Sequence, residues 1–335
     1  MTVYAALVIG YGRAGRAALS VLQESGLGPL LCVERRAPEP GAPPEVRWDT
    51  TAVGVLPGFP GEPHSVMLRS AGGQEVVQAQ RVLICTGGHE VPREGLGIPG
   101  TRPSGIMTGV MAEELMAMGL LPGYRVVLYG QGTRARRVAD RLRQMGGRLV
   151  AELDPVTTEL VRVEGFPRLQ RVWVARRSHG AEGGAGEETG IDCDTLVISA
   201  QLQPGVHLLK GTGVILDEYT RGPQVDPWGR TSLPGVWAAG TCVAPLLEGE
   251  FSAELGCTAA GAMVREPAAI SRPVRLVPGK GLRWVVPHLA DAGATEPLRV
   301  YACTGRGEAV TVTIPAGALQ DRDTYVVEAE EVNRG

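Results

Sequence analysis

Gly10, Gly12 and Gly15 form a G-x-G-x-x-G turn, and Glu34 stands downstream at the end of the next apolar run. Each glycine has a separate task in such a turn. The first permits a tight bend, the second lets a pyrophosphate approach the backbone, and the third lets a helix pack closely on its strand. The helix that follows offers unpaired N–H groups and a partial positive charge to phosphates. An acid at the end of the next strand, here Glu34, is where ribose hydroxyls are gripped. A second turn repeats the pattern with Gly130, Gly132 and Ala135, and Glu152 ends its second strand. Alanine is an accepted third member. Glu152 favours a free ribose 2′-hydroxyl and hence NAD over NADP, while Arg134 and Arg136 could instead hold a 2′-phosphate.

The elements that position these residues read as two βαβ units. The run VYAALVIG predicts a buried parallel strand, RAALSVLQES a helix stopping at Gly26, and LLCVE a second buried strand ending on Glu34. RRAPEPGAPPE is a Pro/Gly-rich loop. RWDTTAVGVL, SVMLRSAG and EVVQAQRVLICTGG read as strands, and VMAEELMAMGLL as a helix. The pattern restarts at Arg125 with strand RVVLYG, the second turn, helix RRVADRLRQMG and strand RLVAELD. LQRVWVARR and CDTLVISA are further strands, joined by a glycine-rich turn from Gly180 to Gly190. A helix over SAELGCTAAGAMV precedes a tail of alternating residues that predicts a small antiparallel β module.

Composition narrows the function classes. The 335 residues suggest two domains and a small third. Charged residues are 21%, hydrophobic ones 44%, and the formal charge is −3. Those values are ordinary for a globular protein. No basic patch with interleaved aromatics points to nucleic acid. No apolar run has membrane-spanning length, and no basic n-region marks a signal peptide, so a cytoplasmic protein with no direct membrane span is expected. The six cysteines (32, 85, 193, 242, 257, 303) contain no C-x-x-C pair. Their expected role is that of buried small hydrophobes, Cys242 included. The five histidines (64, 89, 179, 207, 288) lack ligand spacing, so no metal site is expected. His89 reads as a surface-loop residue, Asp192 and Asp194 as solvated turn residues, and Met111, Leu115 and Met118 as helix core.

VLICTGG, LGIPGTRPSGIMTG, VVLYGQGTRA and TSLPGVWAAGT occur in that order. This order resembles the two-dinucleotide-binding-domain flavoproteins of the pyridine nucleotide-disulfide reductase superfamily. The likeness is strongest to α-type subunits of heteromeric sarcosine oxidase, hydroxyproline dehydrogenase and hydrogen cyanide synthase. Oxidoreductases associated with glycerol-3-phosphate dehydrogenase are also similar, and GLRWVVPHLA with its β module resembles their C-terminus.

The resemblance implies an α/β fold: two Rossmann-like, three-layer ββα domains, the second inserted in the first, plus the β module. The expected boundaries are 1–108 with 204–270 for an FAD-binding domain, 109–203 for an NAD(P)-binding-like domain and 271–335 for the tail. It implies that Gly10, Gly12, Gly15 and Glu34 hold the FAD pyrophosphate and ribose. Thr86 and Gly87 would pass close to FAD, and Gly240 and Thr241 would contact the flavin-side phosphate. Gly130, Gly132, Ala135 and Glu152 would hold NAD. Arg13, Ala14, Arg35 and Gly88 flank these positions and are counted with them. The implied partners are a second flavoprotein subunit and a small iron–sulfur subunit.

Two departures stand out. Thr241 replaces an acid or amide, and only a short Pro-rich link joins Glu34 to Arg47. That shortening motivates an alternative: a non-redox scaffold or regulatory subunit that takes ATP, ADP or no cofactor. A stand-alone NAD(P)H:acceptor reductase is a weaker third reading, since no paired-cysteine acceptor site exists.

Overall fold

In the computed structural model, which describes residues 2–177, 187–200, 202–245, 249–305 and 307–328, the fold is mixed α/β. Part of the Gly180–Gly190 turn, and His179 with it, lies outside the described residues. The described residues contain four α-helices: α1 (Arg13–Glu24), α2 (Gly109–Ala117), α3 (Gly132–Gln144) and α4 (Glu250–Arg265). Two units emerge, one formed by Met1–Gly88 with Gln203–Gly335 and the other by His89–Leu202.

The first unit is built on the strand Ala6–Ile9, four consecutive buried apolar residues. A strand buried on both faces belongs inside a parallel sheet. It lies third in a five-stranded sheet ordered Val236–Ala238, Val82–Ile84, Ala6–Ile9, Leu30–Val33 and Val46–Arg47. Its neighbours are parallel, with Ile9 level with Val33 on one side and Ile84 on the other. Alternation sends Ala6 and Val8 to the face covered by α1 and α4, where Ala14, Ala18, Leu22, Ala260 and Met263 pack. Leu7 and Ile9 point the other way, onto an antiparallel layer carrying Val55, Val66, Leu68 and Val77. This is the three-layer ββα arrangement expected from the pattern. Each fully buried Leu contributes about 1.5–3 kcal/mol.

The continuous run from Glu75 to Ile84 is two strands, not one. Gly73–Ala79 pairs in the antiparallel layer and Val82–Ile84 in the parallel sheet. The break at Gln80–Arg81 lets the chain change layers, which an unbroken apolar run conceals. The tail forms two three-stranded sheets with their own core of Val274, Leu276, Val300, Val312 and Ile314.

The second unit repeats the plan. Its parallel sheet runs Ile106–Thr108, Thr195–Ser199, Arg125–Gly130, Arg148–Leu153. α2 and α3 cover one face through Ala112, Met116, Val138 and Leu142. A meander of Thr158–Gly165, Leu169–Arg176 and Thr189–Asp192 covers the other. Residues 89–108, expected in the first domain, pack in this unit instead. Strand Ile106–Thr108 pairs with Leu196–Ile198, and Glu90 is hydrogen-bonded to Ser199. Met111 and Met118 are not core: they are 50% and 67% exposed, because α2 turns Ala112 and Met116 inward. With apolar residues on both helix faces, periodicity could not choose between them. Asp194 is a cap rather than a free turn residue, accepting N–H groups from Tyr124 and Arg125. No described helix is long and apolar enough to cross a membrane.

Candidate functional site

In the first unit the C-terminal ends of four parallel strands converge. They deliver Gly10, Glu34, Cys85–Thr86–Gly87 and Ala239–Gly240 to one edge of the sheet. Ligands of doubly wound folds bind at such an edge.

The three glycines of the first turn do different jobs. A Cβ on Gly10 would lie 2.3 Å from the Cys85 carbonyl oxygen, and its φ is +104°. A Cβ on Gly15 would lie 1.9 Å from the Gly10 carbonyl oxygen. Both positions are closed by packing. A Cβ on Gly12 would meet nothing within 4 Å. Gly12 also caps α1 without any side-chain hydrogen bond, and no acid stands in the first turn. The open space and the unclaimed amides coincide, as an anion cradle requires.

Glu34 is wired into that turn. Its carboxylate accepts the Tyr11 N–H at 2.7 Å and the Arg36 N–H at 3.1 Å, and the Arg36 guanidinium approaches to 3.2 Å. Burial pushes the Glu34 carboxyl up, but the Arg36 guanidinium and the two N–H donors outweigh it and hold the group below the ordinary carboxylate range. Three donors on a group with about four acceptor sites leave room for one more hydrogen bond. Tyr11 is fixed in turn. Its carbonyl accepts Arg16 Nε and Arg36 Nη2, Arg16 lies 4.4 Å over its ring, and Trp48 meets it edge-on at 5.6 Å. Glu39 ion-pairs with both arginines. Arg13 and Arg35 are exposed beside this cluster.

The short link after Glu34 explains the cluster. Thr50 N–H donates to the Glu34 carbonyl and Asp49 N–H to that of Arg36. This pairing brings Trp48 to the turn. Sequence reasoning missed Tyr11, Arg36 and Trp48; the only signal was the brevity of the link.

The remaining expected residues are also assembled here. Thr86 Oγ1 donates to the Gly205 carbonyl at 2.7 Å, and Gly205 N–H returns to the Gly87 carbonyl. Gly87 has φ +72°, and its missing Cβ would face Thr241 Oγ1 at 3.5 Å. A Cβ on Gly240 would lie 2.8 Å from that of Ala14, so Ala14 packs α1 against the Gly240 turn. Gly88 closes the segment as an exposed residue. Cys242 is buried and donates to the Ile84 carbonyl; burial pushes its thiol up to about 11. Such a thiol is inert at neutral pH. No group of three potential metal ligands exists among the described residues.

The second turn differs. Gly130 is closed by the Ser199 carbonyl, 2.3 Å from its missing Cβ, whereas Gly132, at φ +83°, is open. Ala135 is buried against the sheet. Glu152 does not lie at the turn. It is exposed and ion-paired to Arg143, at the opposite end of α3 from Gly132. Leu153 is level with Tyr129, as Val33 is with Ile9. Asp154 therefore stands opposite Gly130, as Glu34 stands opposite Gly10. The spacing held the clue: Asp154 follows Gly130 by the same interval at which Glu34 follows Gly10.

Asp154 accepts the Val156 N–H at 2.7 Å. A buried carboxylate also lies in this unit, that of Glu90. It accepts the Ser199 hydroxyl at 2.5 Å and the Val110 N–H at 2.8 Å, and faces Arg134 of α3 at 3.7 Å. Arg134 also lies 3.4 Å from Glu113, but its buried Nε makes no hydrogen bond.

No family model matches the sequence, and no curated protein matches it. Solved structures do match in fold. L-proline dehydrogenase from P. horikoshii aligns with TM-score 0.59 and 20% identity over 79% of this chain, covering 56% of the dehydrogenase chain. The chain thus spans little more than half of that protein. T. acidophilum thioredoxin reductase gives TM-score 0.53 and 17% identity, with 79% and 99% of the two chains covered. An NAD-dependent persulfide reductase from A. fulgidus gives 0.62 and 16%, with 92% and 64% covered. The fold is that of FAD/NAD(P)-binding Rossmann-like oxidoreductases.

Proposed function

We propose that this chain is an FAD-binding oxidoreductase subunit. The carrying observation is the open space at Gly12 joined to a buried, ionised Glu34 through the Tyr11 N–H. The residues fit the cofactor. Gly12, Arg13 and Ala14 would hold the pyrophosphate, Glu34 the adenosine ribose, and Thr86–Gly87 with Gly240–Thr241 the flavin-side phosphate. FAD, when bound, supplies the hydride or electron transfer; the chain supplies position and electrostatics. Fold likeness to oxidoreductases supports the same reading.

We extend this to a heteromeric dehydrogenase. A partner flavoprotein subunit would oxidise an amino acid or glycerol-3-phosphate type substrate. Electrons would then pass to an acceptor through a small iron–sulfur subunit or through NAD at the second turn, in the cytoplasm. Asp154, not Glu152, is the better candidate for an NAD ribose there, because the strand register puts it at the turn.

A second reading rests on the hydrogen-bonded short link after Glu34. It replaces a longer insert with Trp48 and Arg36, and favours a subunit that takes only an adenine nucleotide. Thermal-shift titration with FAD, NAD, ADP and ATP separates the two. A yellow preparation stabilised by FAD and bleached by NADH supports the redox subunit. Stabilisation by ADP or ATP alone, in a colourless preparation, overturns it.

A further inference from the structure

Away from the glycine turns, the first unit holds a cavity of about 210 Å³ among α4, the loop at Val225–Gly229 and strand Leu298–Thr304 of the tail. Pockets for drug-sized ligands begin at about 300 Å³, so this one suits a molecule of amino-acid size. Its floor is apolar, with Val225, Val286 and Leu298. Its polar wall carries both signs of charge. Glu254 on α4 and Arg299 on the strand form an ion pair, and both line the cavity. Thr258, one turn along α4 from Glu254, adds a hydroxyl.

The pair has unspent hydrogen-bonding capacity. A guanidinium carries five N–H donors and a carboxylate about four acceptor sites. The Arg299–Glu254 contact and the hydrogen bond between Glu254 and Tyr301 use only a fraction of them. Tyr301 is buried, and Arg299 lies 5.3 Å over its ring, which fixes the guanidinium. Burial and Glu254 push the Tyr301 hydroxyl far up, so it remains a donor to Glu254 at any working pH. Asp226, the other acid on the wall, is consumed by Arg230 and two backbone N–H groups.

We propose that this cavity binds a free α-amino acid with a small apolar side chain. Its carboxylate would pair with the spare Arg299 donors, its ammonium with Glu254, and its side chain would cover the apolar floor. A fixed plus–minus pair recognises a zwitterion in a way that neither an anion nor a cation can match. The site is independent of the dinucleotide reading and would stand if that reading failed.

The test is thermal shift and calorimetry on the full chain with L-valine and L-proline as probes. Isovalerate and isobutylamine carry one charge each, and glycine betaine serves as the osmolyte control. Tenfold excess over Kd should raise the Tm by about 3 °C. The single-charge analogues and betaine should not match it. Arg299→Gln should abolish the shift. Thr258→Leu, which fills the cavity and leaves the ion pair in place, should abolish it too. No shift with either amino acid, an equal shift with isovalerate, or a shift that persists in a folded Thr258→Leu variant overturns the proposal.

Discussion

The two glycine turns share a backbone plan but differ in where the negative charge sits. In the first unit the buried acid, Glu34, follows the second strand and is tied to the turn by the Tyr11 N–H. In the second the buried acid, Glu90, lies across the neighbouring strand end at Ser199, while the acid after the second strand, Asp154, caps a local turn. The glycine pattern therefore sets the path of the chain. The partners around it set what the turn can hold. The first turn presents open amides next to a buried carboxylate; the second presents an arginine ion-paired to two carboxylates.

The sharpest break of this comparison is at the glycines. Gly15→Ala puts a Cβ on the Gly10 carbonyl, a backbone atom that cannot step aside. It should cost about 3 kcal/mol or more in urea unfolding. Gly12→Ala meets open space at an ordinary φ of −78°. It should stay within about 1 kcal/mol of the parent yet lose FAD, read as flavin released on purification. If Gly12→Ala keeps its flavin, the cradle is not where the cofactor binds.

Next comes Glu34→Gln, which removes a charge-assisted acceptor from Tyr11 and Arg36. The loss should be about 2 kcal/mol. The pH profile checks the sign. The folded carboxyl lies below the unfolded value of 4.5, so its contribution is full above 4.5 and fades as pH falls through the folded value. The variant should lack that acid limb. His288 acts in a higher window. Burial lowers its ring to about 4 against an ordinary 6.5, so the unfolded chain takes up a proton first. Stability should fall as pH drops from 6.5 toward 4, and His288→Gln should flatten that slope.

How much of this was legible beforehand follows from what each signal measures. Periodicity and glycine spacing report the backbone, and they located α1, α3, the two turns and the parallel strands that flank them, but not the strand Thr158–Gly165 or the break at Gln80–Arg81. They say nothing of side-chain wiring between segments far apart in sequence. Glu90 lies 109 residues from Ser199, so no local pattern links them. Trp48 reaches Tyr11 only because the link is hydrogen-bonded shut. Glu152 and Asp154 were separable by spacing. Being two apart they share a strand face, so alternation cannot choose between them, and register decides because Glu152 is level with Leu128 inside the strand while Asp154 falls opposite Gly130.

Glu90→Gln tests the other half of the comparison. It keeps a partner for Ser199 but removes the charge that holds Arg134, for a loss of about 1–2 kcal/mol. With that buried negative charge gone, the second turn should bind ADP or NAD more tightly, by a fewfold. Unchanged affinity would mean that Glu90 does not govern the turn.

The smallest effects distinguish the two acids of the second strand. Glu152→Ala removes an exposed ion pair, worth about 0–1 kcal/mol, and should leave NAD binding unchanged. Asp154→Ala removes the acceptor of the Val156 N–H, worth about 1 kcal/mol, and should weaken NAD about tenfold, the worth of one good hydrogen bond. Isothermal titration of both variants separates them. A weakened Glu152→Ala beside an unchanged Asp154→Ala would show that register is the wrong guide to the sugar, and that the second turn does not repeat the logic of the first.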